Sequence, residues 1–182
     1  MNTLEIIATI STILCVWFTS KQNILCWPMG IISVLSLIVI YFKDGMYAQI
    51  GLQSVFLIQS IIGWYNWGKS DAIKISSLPL TTFLINIIFF IILASLFSLT
   101  HDDKTPLLSA FFDGSAALLG LLGNWYLTRK IIQAWPLFMI YNVIMIFLLM
   151  SHGFLLLSLL NVFLFIVSIN GFILWKKDLK VA

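Results

Sequence analysis

Gly63-Trp64-Tyr65-Asn66-Trp67-Gly68-Lys69 ends an apolar run, and Gly171-Phe172-Ile173-Leu174-Trp175-Lys176-Lys177 ends another, 108 positions later. Both stretches have the pattern Gly-x-x-x-Trp-x-Lys, and sliding the chain by the same offset extends the match without a gap. Trp17 falls on Trp125, Trp27-Pro28 on Trp135-Pro136, Gly45 on Gly153 and Ser60 on Ser168. Lys21 meets Arg129, and Glu5 meets Asp113. The chain therefore reads as two copies of one unit, and the unit's length decides the fold.

Composition says what the unit is made of. The chain has 182 residues, of which 61% are hydrophobic and 9% charged, and its mean hydropathy is +1.06. Soluble domains carry about 25% charged residues, so this chain lacks the polar surface to face water all round. Apolar segments long enough to span hydrocarbon recur along its whole length. The expected class is all-α integral membrane protein. The first apolar segment has Glu5 where a secretory leader has basic residues, and no small-residue cleavage site, so it reads as a retained helix. Cys15 and Cys26 lack metal-type spacing and read as small buried hydrophobes.

Polar punctuation divides the chain into seven expected transmembrane helices, at about 3–20, 25–42, 45–67, 79–99, 106–127, 133–150 and 153–175. Several separators are only two to four residues long, so successive helices should be antiparallel neighbours. Pro79 and Pro106 fit first-turn positions, where a missing N–H costs no hydrogen bond. Helices 1–3 and 5–7 are the two copies and helix 4 has no counterpart, a 3+1+3 arrangement. The domain reading is a three-helix bundle at 1–69, a linker helix at 70–104 and a second bundle at 105–182. Helix 4 adds one span to the three of the first copy, so an even number of spans separates the starts of the copies and the repeats are parallel. Lys21, Lys69, Lys74, Arg129, Lys130, Lys176, Lys177 and Lys180 gather on one side, against Lys43 and Lys104 on the other. The positive-inside rule then places the N-terminus outside and the C-terminus in the cytoplasm. Net charge of +3 reports topology here and gives no reason to expect nucleic-acid binding.

A repeated bundle about an axis normal to the membrane suits a transporter with its site between the repeats. The candidate site residues follow from helical spacing. Gln49, Gln53, Phe56, Ser60, Gly63 and Trp67 form one stripe on helix 3, with Gln59 on its flank. Amides facing lipid are costly, so these should face the bundle interior, as substrate ligands or as inter-helix hydrogen bonds. Helix 6 puts Trp135, Phe138 and Asn142 on one face, helix 5 lines up Asp113, Gly120 and Asn124, and helix 7 lines up Asn161, Ser168 and Trp175. Trp64 and Asn66 break the repeat, having Phe172 and Leu174 as partners, and an asymmetric ligand needs broken symmetry. Such aromatic and amide faces suit a flat heteroaromatic ligand, held by stacking and cation–π contact. His101 and His152 sit at outer helix ends, away from any mid-membrane relay. There is no phosphate loop, no metal-spaced His/Cys set and no nucleophile–base pair, so neither an enzyme nor a cofactor is expected.

The series Trp27-Pro28-x-Gly30-Ile31, Gly45-x-Tyr47-Ala48-x-x-x-Leu52-Gln53-x-x-Phe56 and Gly63-Trp64-Tyr65-x-Trp67 resembles the Pnu family of bacterial vitamin transporters. The second half agrees through Asp113, Asn124-Trp125-x-Leu127-x-Arg129-Lys130, Trp135 and Gly171-x-x-x-Trp175. The resemblance implies a 3+1+3 fold related to the SWEET sugar transporters, in the bacterial inner membrane. It implies import of nicotinamide riboside or a related vitamin nucleoside by facilitated diffusion, with trapping by a cytoplasmic kinase. Other members carry thiamine, riboflavin or nucleosides, and relatives suggest a homotrimer. The family's binding Trp-x-x-Trp corresponds to Trp135 and Phe138, and Asn142 stands where many members have an acidic residue. The expected substrate-binding set is Gln53, Gln59, Trp64, Asn66, Asn124, Trp135, Phe138, Asn142 and Asn161. The competing class is a non-transporting membrane subunit for recognition or assembly, separable by flux into liposomes.

Overall fold

A computed structural model describes residues 3–69, 73–98, 107–151 and 153–181. His101, Lys104, Pro106 and His152 lie outside the described residues. Seven helices run in the order α1 (Thr3–Ser20), α2 (Cys26–Lys43), α3 (Tyr47–Trp67), α4 (Leu80–Ser98), α5 (Leu107–Thr128), α6 (Ala134–Ser151) and α7 (Leu155–Val181). Among the described residues, four spans are long and apolar enough to cross a membrane, Thr3–Ser20, Cys26–Lys43, Ala134–Ser151 and Leu155–Leu179, and Leu80–Leu96 is a shorter apolar helix. α3 and α5 are less apolar because they carry Gln49, Gln53, Gln59 and Asn66, and Asp113 and Asn124.

Packing order follows from the neighbours. α1 packs on α2 and α7, α2 on α3, α3 on α5, α5 on α6, and α6 on α7. Six helices thus close a ring, and α4 lies outside it against α5. The α4 contact is specific: Asn86 Nδ2 donates to Tyr126 Oη at 2.7 Å, and the Phe83 and Tyr126 rings meet at 6.5 Å, tilted by 44°.

The tight corners of the ring are built alike. Gln22 and Lys130 take left-handed backbone, at φ 54° and 52°, as do Gly45 and Gly153, at φ 70° and 80°. At all four a backbone N–H just beyond the helix reaches back to the carbonyl five residues earlier, at Gly153 through Phe154 to Leu149 at 2.9 Å. The others are Asn23 to Phe18 at 2.9 Å, Ile131 to Tyr126 at 3.0 Å and Met46 to Tyr41 at 2.9 Å. This pattern closes helix carbonyls that lack intrahelical donors, and it needs a left-handed residue just past the helix end. At Gly45 an added Cβ would meet nothing within 4 Å. Gly45→Ala should therefore cost only backbone strain, about 1 kcal/mol, read as a small fall in Tm with ligand binding unchanged.

Two features depart from the sequence expectations. α7 runs to Val181 rather than stopping at Trp175. No Gly or Pro follows Trp175, and Asp178 in the added turns accepts from Gln22 Nε2 at 2.6 Å. The segment before α4 is also not a free separator. Ser76 pairs with the α5–α6 corner through Ser76 N–H to Lys130 O at 3.0 Å and Ile132 N–H to Ser76 O at 2.9 Å. The Gln133 side chain clamps Leu78 from both sides, accepting from its N–H at 3.1 Å and donating to its carbonyl at 2.9 Å. Pro79 stands one residue before α4 and accepts from Phe83 N–H at 3.0 Å.

Candidate functional site

One end of the ring is closed by four buried tryptophans. Trp27 meets Trp67 edge-on at 5.3 Å and 88°, and Trp135 meets Trp175 edge-on at 5.4 Å and 89°. Trp67 and Trp175 join the two pairs at 6.1 Å. The glycines of the opening motif explain the fit. A Cβ on Gly63 would lie 2.2 Å from the Trp27 ring, and one on Gly171 would lie 2.5 Å from the Trp135 ring. Each ring therefore lies directly on helix backbone, the close approach that small residues permit between membrane helices.

Two further bonds tie this end together. Trp67 Nε1 donates to Leu127 O at 3.0 Å, and Trp175 Nε1 donates to Thr19 O at 3.3 Å. Leu127 and Thr19 occupy matching positions near the ends of α5 and α1. A buried Lys130 places its Nζ 4.7 Å over the Trp67 ring and donates to Gln22 Oε1 at 3.4 Å. Burial pulls the Lys130 ammonium below the usual lysine range, and cation–π contact is the compensation available to it.

Directly against this cluster, inside the ring, is a cavity of about 320 Å³, within the size range of small-molecule sites. Its lining comes from α1 (Thr12, Cys15, Val16, Thr19), α2 (Trp27), α3 (Phe56, Ser60), α5 (Gly120, Asn124, Leu127), α6 (Trp135, Phe138, Tyr141, Asn142) and α7 (Leu160, Asn161, Leu164, Ser168). Of the described lining residues none is charged. Gly123 seats Phe138: a Cβ there would lie 3.1 Å from the ring.

The polar side chains share one habit. Thr19, Ser60 and Ser168 donate their hydroxyl protons to the carbonyls four residues back, each at 2.8 Å. Asn142 Nδ2 donates to Phe138 O at 2.7 Å and Asn161 Nδ2 to Leu157 O at 2.9 Å. Thr12 is engaged with Ser33 and with the carbonyl of Ala8. These hydroxyl protons and one amide N–H of each asparagine are thus consumed within the protein, while their oxygen lone pairs remain. Asn142 Oδ1, Trp27 Nε1 and Trp135 Nε1 are buried with no hydrogen-bond partner among the described residues. An unmade bond at such a group costs about 1–3 kcal/mol, and all three belong to cavity residues.

The expected residues divide into three groups. Asn124, Trp135, Phe138, Asn142 and Asn161 come together in the cavity wall. Gln59 is buried behind the wall, accepting from Asn124 Nδ2 at 2.9 Å and donating to Leu121 O at 3.2 Å. Gln53, Trp64 and Asn66 are not brought to the cavity. Gln53 is half-buried on α3 outside the lining. Trp64 is 46% exposed on the outer surface, because it lies one residue, hence about 100°, away from the inward Gly63. Asn66 donates to Thr128 O at 3.3 Å and joins α3 to α5. Glu5 and Asp113 are exposed, outside the cavity. The sequence reading missed the α1 wall, although Thr12, Cys15, Val16 and Thr19 recur at helical spacing, which was the available signal.

The family model described as nicotinamide mononucleotide transporter matches residues 2–177. The nicotinamide riboside transporters PnuC of Escherichia coli (strain K12) and Shigella flexneri are each 25% identical over 209 residues, covering 99% of this chain and 87% of theirs. A crystal structure of the vitamin B3 transporter PnuC superposes with a TM-score of 0.78 at 21% identity. That match covers 97% of this chain and 82% of the other, and it supports the seven-helix fold.

Proposed function

The chain belongs to the nicotinamide mononucleotide transporter family, a family of membrane transporters, and from that premise we propose that it imports nicotinamide riboside through the cavity within the helix ring. The observation that carries the choice of substrate is the uncharged lining. A phosphorylated nucleotide would arrive in a low-dielectric cavity with no cation to pair with it, at a cost of several kcal/mol. A nucleoside brings a flat pyridinium ring for Trp135 and Phe138 and hydroxyls for the asparagine and serine oxygens. Cations are favoured near aromatic faces, so the ring's positive charge is an advantage there.

The proposed direction and energetics are the simplest that the residues support. Facilitated diffusion fits a cavity without acids or histidines, and retention follows phosphorylation by a cytoplasmic kinase, because the product no longer fits. Reading the tryptophan end as the cytoplasmic one agrees with the basic residues Lys21, Lys69, Arg129 and Lys130 gathered there. The location is the bacterial inner membrane, with a homotrimer as the proposed assembly and the two three-helix bundles as parallel repeats.

Thermal stability of the purified protein with nicotinamide riboside, nicotinamide mononucleotide, thiamine and riboflavin tests the reading, together with uptake of labelled nucleoside into proteoliposomes. Nicotinamide riboside should raise Tm and move down its gradient, and the mononucleotide should do neither. Stabilisation by the mononucleotide would overturn the argument from charge. Absence of flux for every ligand with folded protein would favour a recognition or assembly subunit.

A further inference from the structure

We propose that Gln59, which does not line the cavity, is a specificity-determining positioning residue: it holds Asn124 with its carbonyl toward the ligand, so that this position in the wall selects a hydrogen-bond donor. This inference rests on the cavity being the substrate site. The argument is a chain of hydrogen-bond polarity. The backbone carbonyl of Leu121 only accepts, so the end of Gln59 that approaches it at 3.2 Å must be the Nε2 end. Gln59 Oε1 then faces Asn124, and only the Nδ2 end of Asn124 satisfies it, at 2.9 Å. The atom of Asn124 left for the cavity is therefore Oδ1, an acceptor.

Asn161 has its amide fixed by its own helix, through Leu157 O, and the cavity serine and threonine hydroxyls are fixed likewise. Asn124 differs, because its orientation comes from another helix through a residue 8% exposed. Without Gln59 the Asn124 amide is free to rotate by half a turn and offer Nδ2 instead. The two orientations recognise opposite chemistry. A carbonyl favours a carboxamide N–H, a sugar hydroxyl or a cationic ring, and an N–H₂ favours a carboxylate. The ligand class is thus a donor-bearing, neutral or cationic nucleoside, and the acid form of the same nucleoside is the one rejected.

The test compares dissociation constants of nicotinamide riboside and nicotinic acid riboside for the purified full chain. Wild-type protein should prefer the amide, and Gln59→Met should reduce that preference by roughly tenfold, the loss of one oriented hydrogen bond, while Tm shows the protein folded. In an Asn124→Ala background Gln59→Met should change the preference no further. A preference unchanged in folded Gln59→Met overturns the positioning role. If that variant does not fold, Asn124→Ala alone decides, because an unchanged preference there overturns the inference equally. Wild-type protein that binds neither nucleoside overturns the functional reading itself, and this inference with it.

Discussion

Gly63→Ala and Gly171→Ala are each expected to destabilise the protein by about 1–3 kcal/mol, and the double variant is expected not to fold. The new methyl at residue 63 would overlap the Trp27 ring at 2.2 Å, and at residue 171 the Trp135 ring at 2.5 Å. Retreat would take each indole off its tryptophan partner and into the cavity it lines. Trp27 is 4% exposed and packed edge-on against Trp67, and Trp135 is 1% exposed and packed against Trp175. In lipid, helix association depends on close packing more than on burial from water, so a lost backbone–ring contact has little to replace it. Gly51→Ala is the control: a Cβ there meets nothing within 4 Å, and Tm should hold or rise slightly. Trp27→Phe should partly restore Gly63→Ala by vacating space. A wild-type Tm in both single variants would show that the rings do not sit on the glycines.

Asn161→Leu should separate binding from folding. Asn161 is 7% exposed in the cavity wall, and its only amide bond among the described residues is to Leu157 O on its own helix. Leucine has similar volume, and the freed carbonyl is one a helix interior tolerates. Tm should stay near wild type or rise. Affinity for nicotinamide riboside should fall by roughly 10- to 100-fold, the equivalent of about 1.5–3 kcal/mol for an oriented acceptor in a desolvated site. Unchanged affinity with intact fold would move the substrate out of this cavity.

These two results probe what the residues disclosed unequally. Seven helices were legible from hydropathy and punctuation, and six of them begin and end within about two residues of the expectation, the usual fuzziness of helix ends. α7 overran because lysine and aspartate read as a separator, whereas nothing in Lys176-Lys177-Asp178 breaks a helix. Within the site, periodicity identifies which residues share a face of one helix, and that was enough for Trp135, Phe138 and Asn142 on α6. It does not give the rotation of that helix against its neighbours. Trp64 and Asn66 were singled out for breaking the repeat, but their asymmetry serves the outer surface and the α3–α5 seam. Gln59 was identified as an interior amide. That it acts behind Asn124 depended on the partner of each end of its side chain, which no spacing encodes. The α1 wall was overlooked because threonine, cysteine and valine look like ordinary lining until the ring is closed.

The tryptophan bonds at the closed end have a consequence for how the chain comes together. Trp67 reaches out of the first three helices to the last turn of α5, and Trp175 reaches out of the last three to the last turn of α1. Each of those carbonyls already accepts a backbone N–H at its own corner, Leu127 O from Lys130 at 3.0 Å and Thr19 O from Gln22 at 3.0 Å, and the indole takes the second lone pair. The group in need is the buried indole N–H, which must find an acceptor within the protein, and each finds it on a helix from the other half of the chain. The dependence is reciprocal: α5 satisfies the Trp67 indole and α1 the Trp175 indole, so the closed end locks the two halves of the ring in both directions.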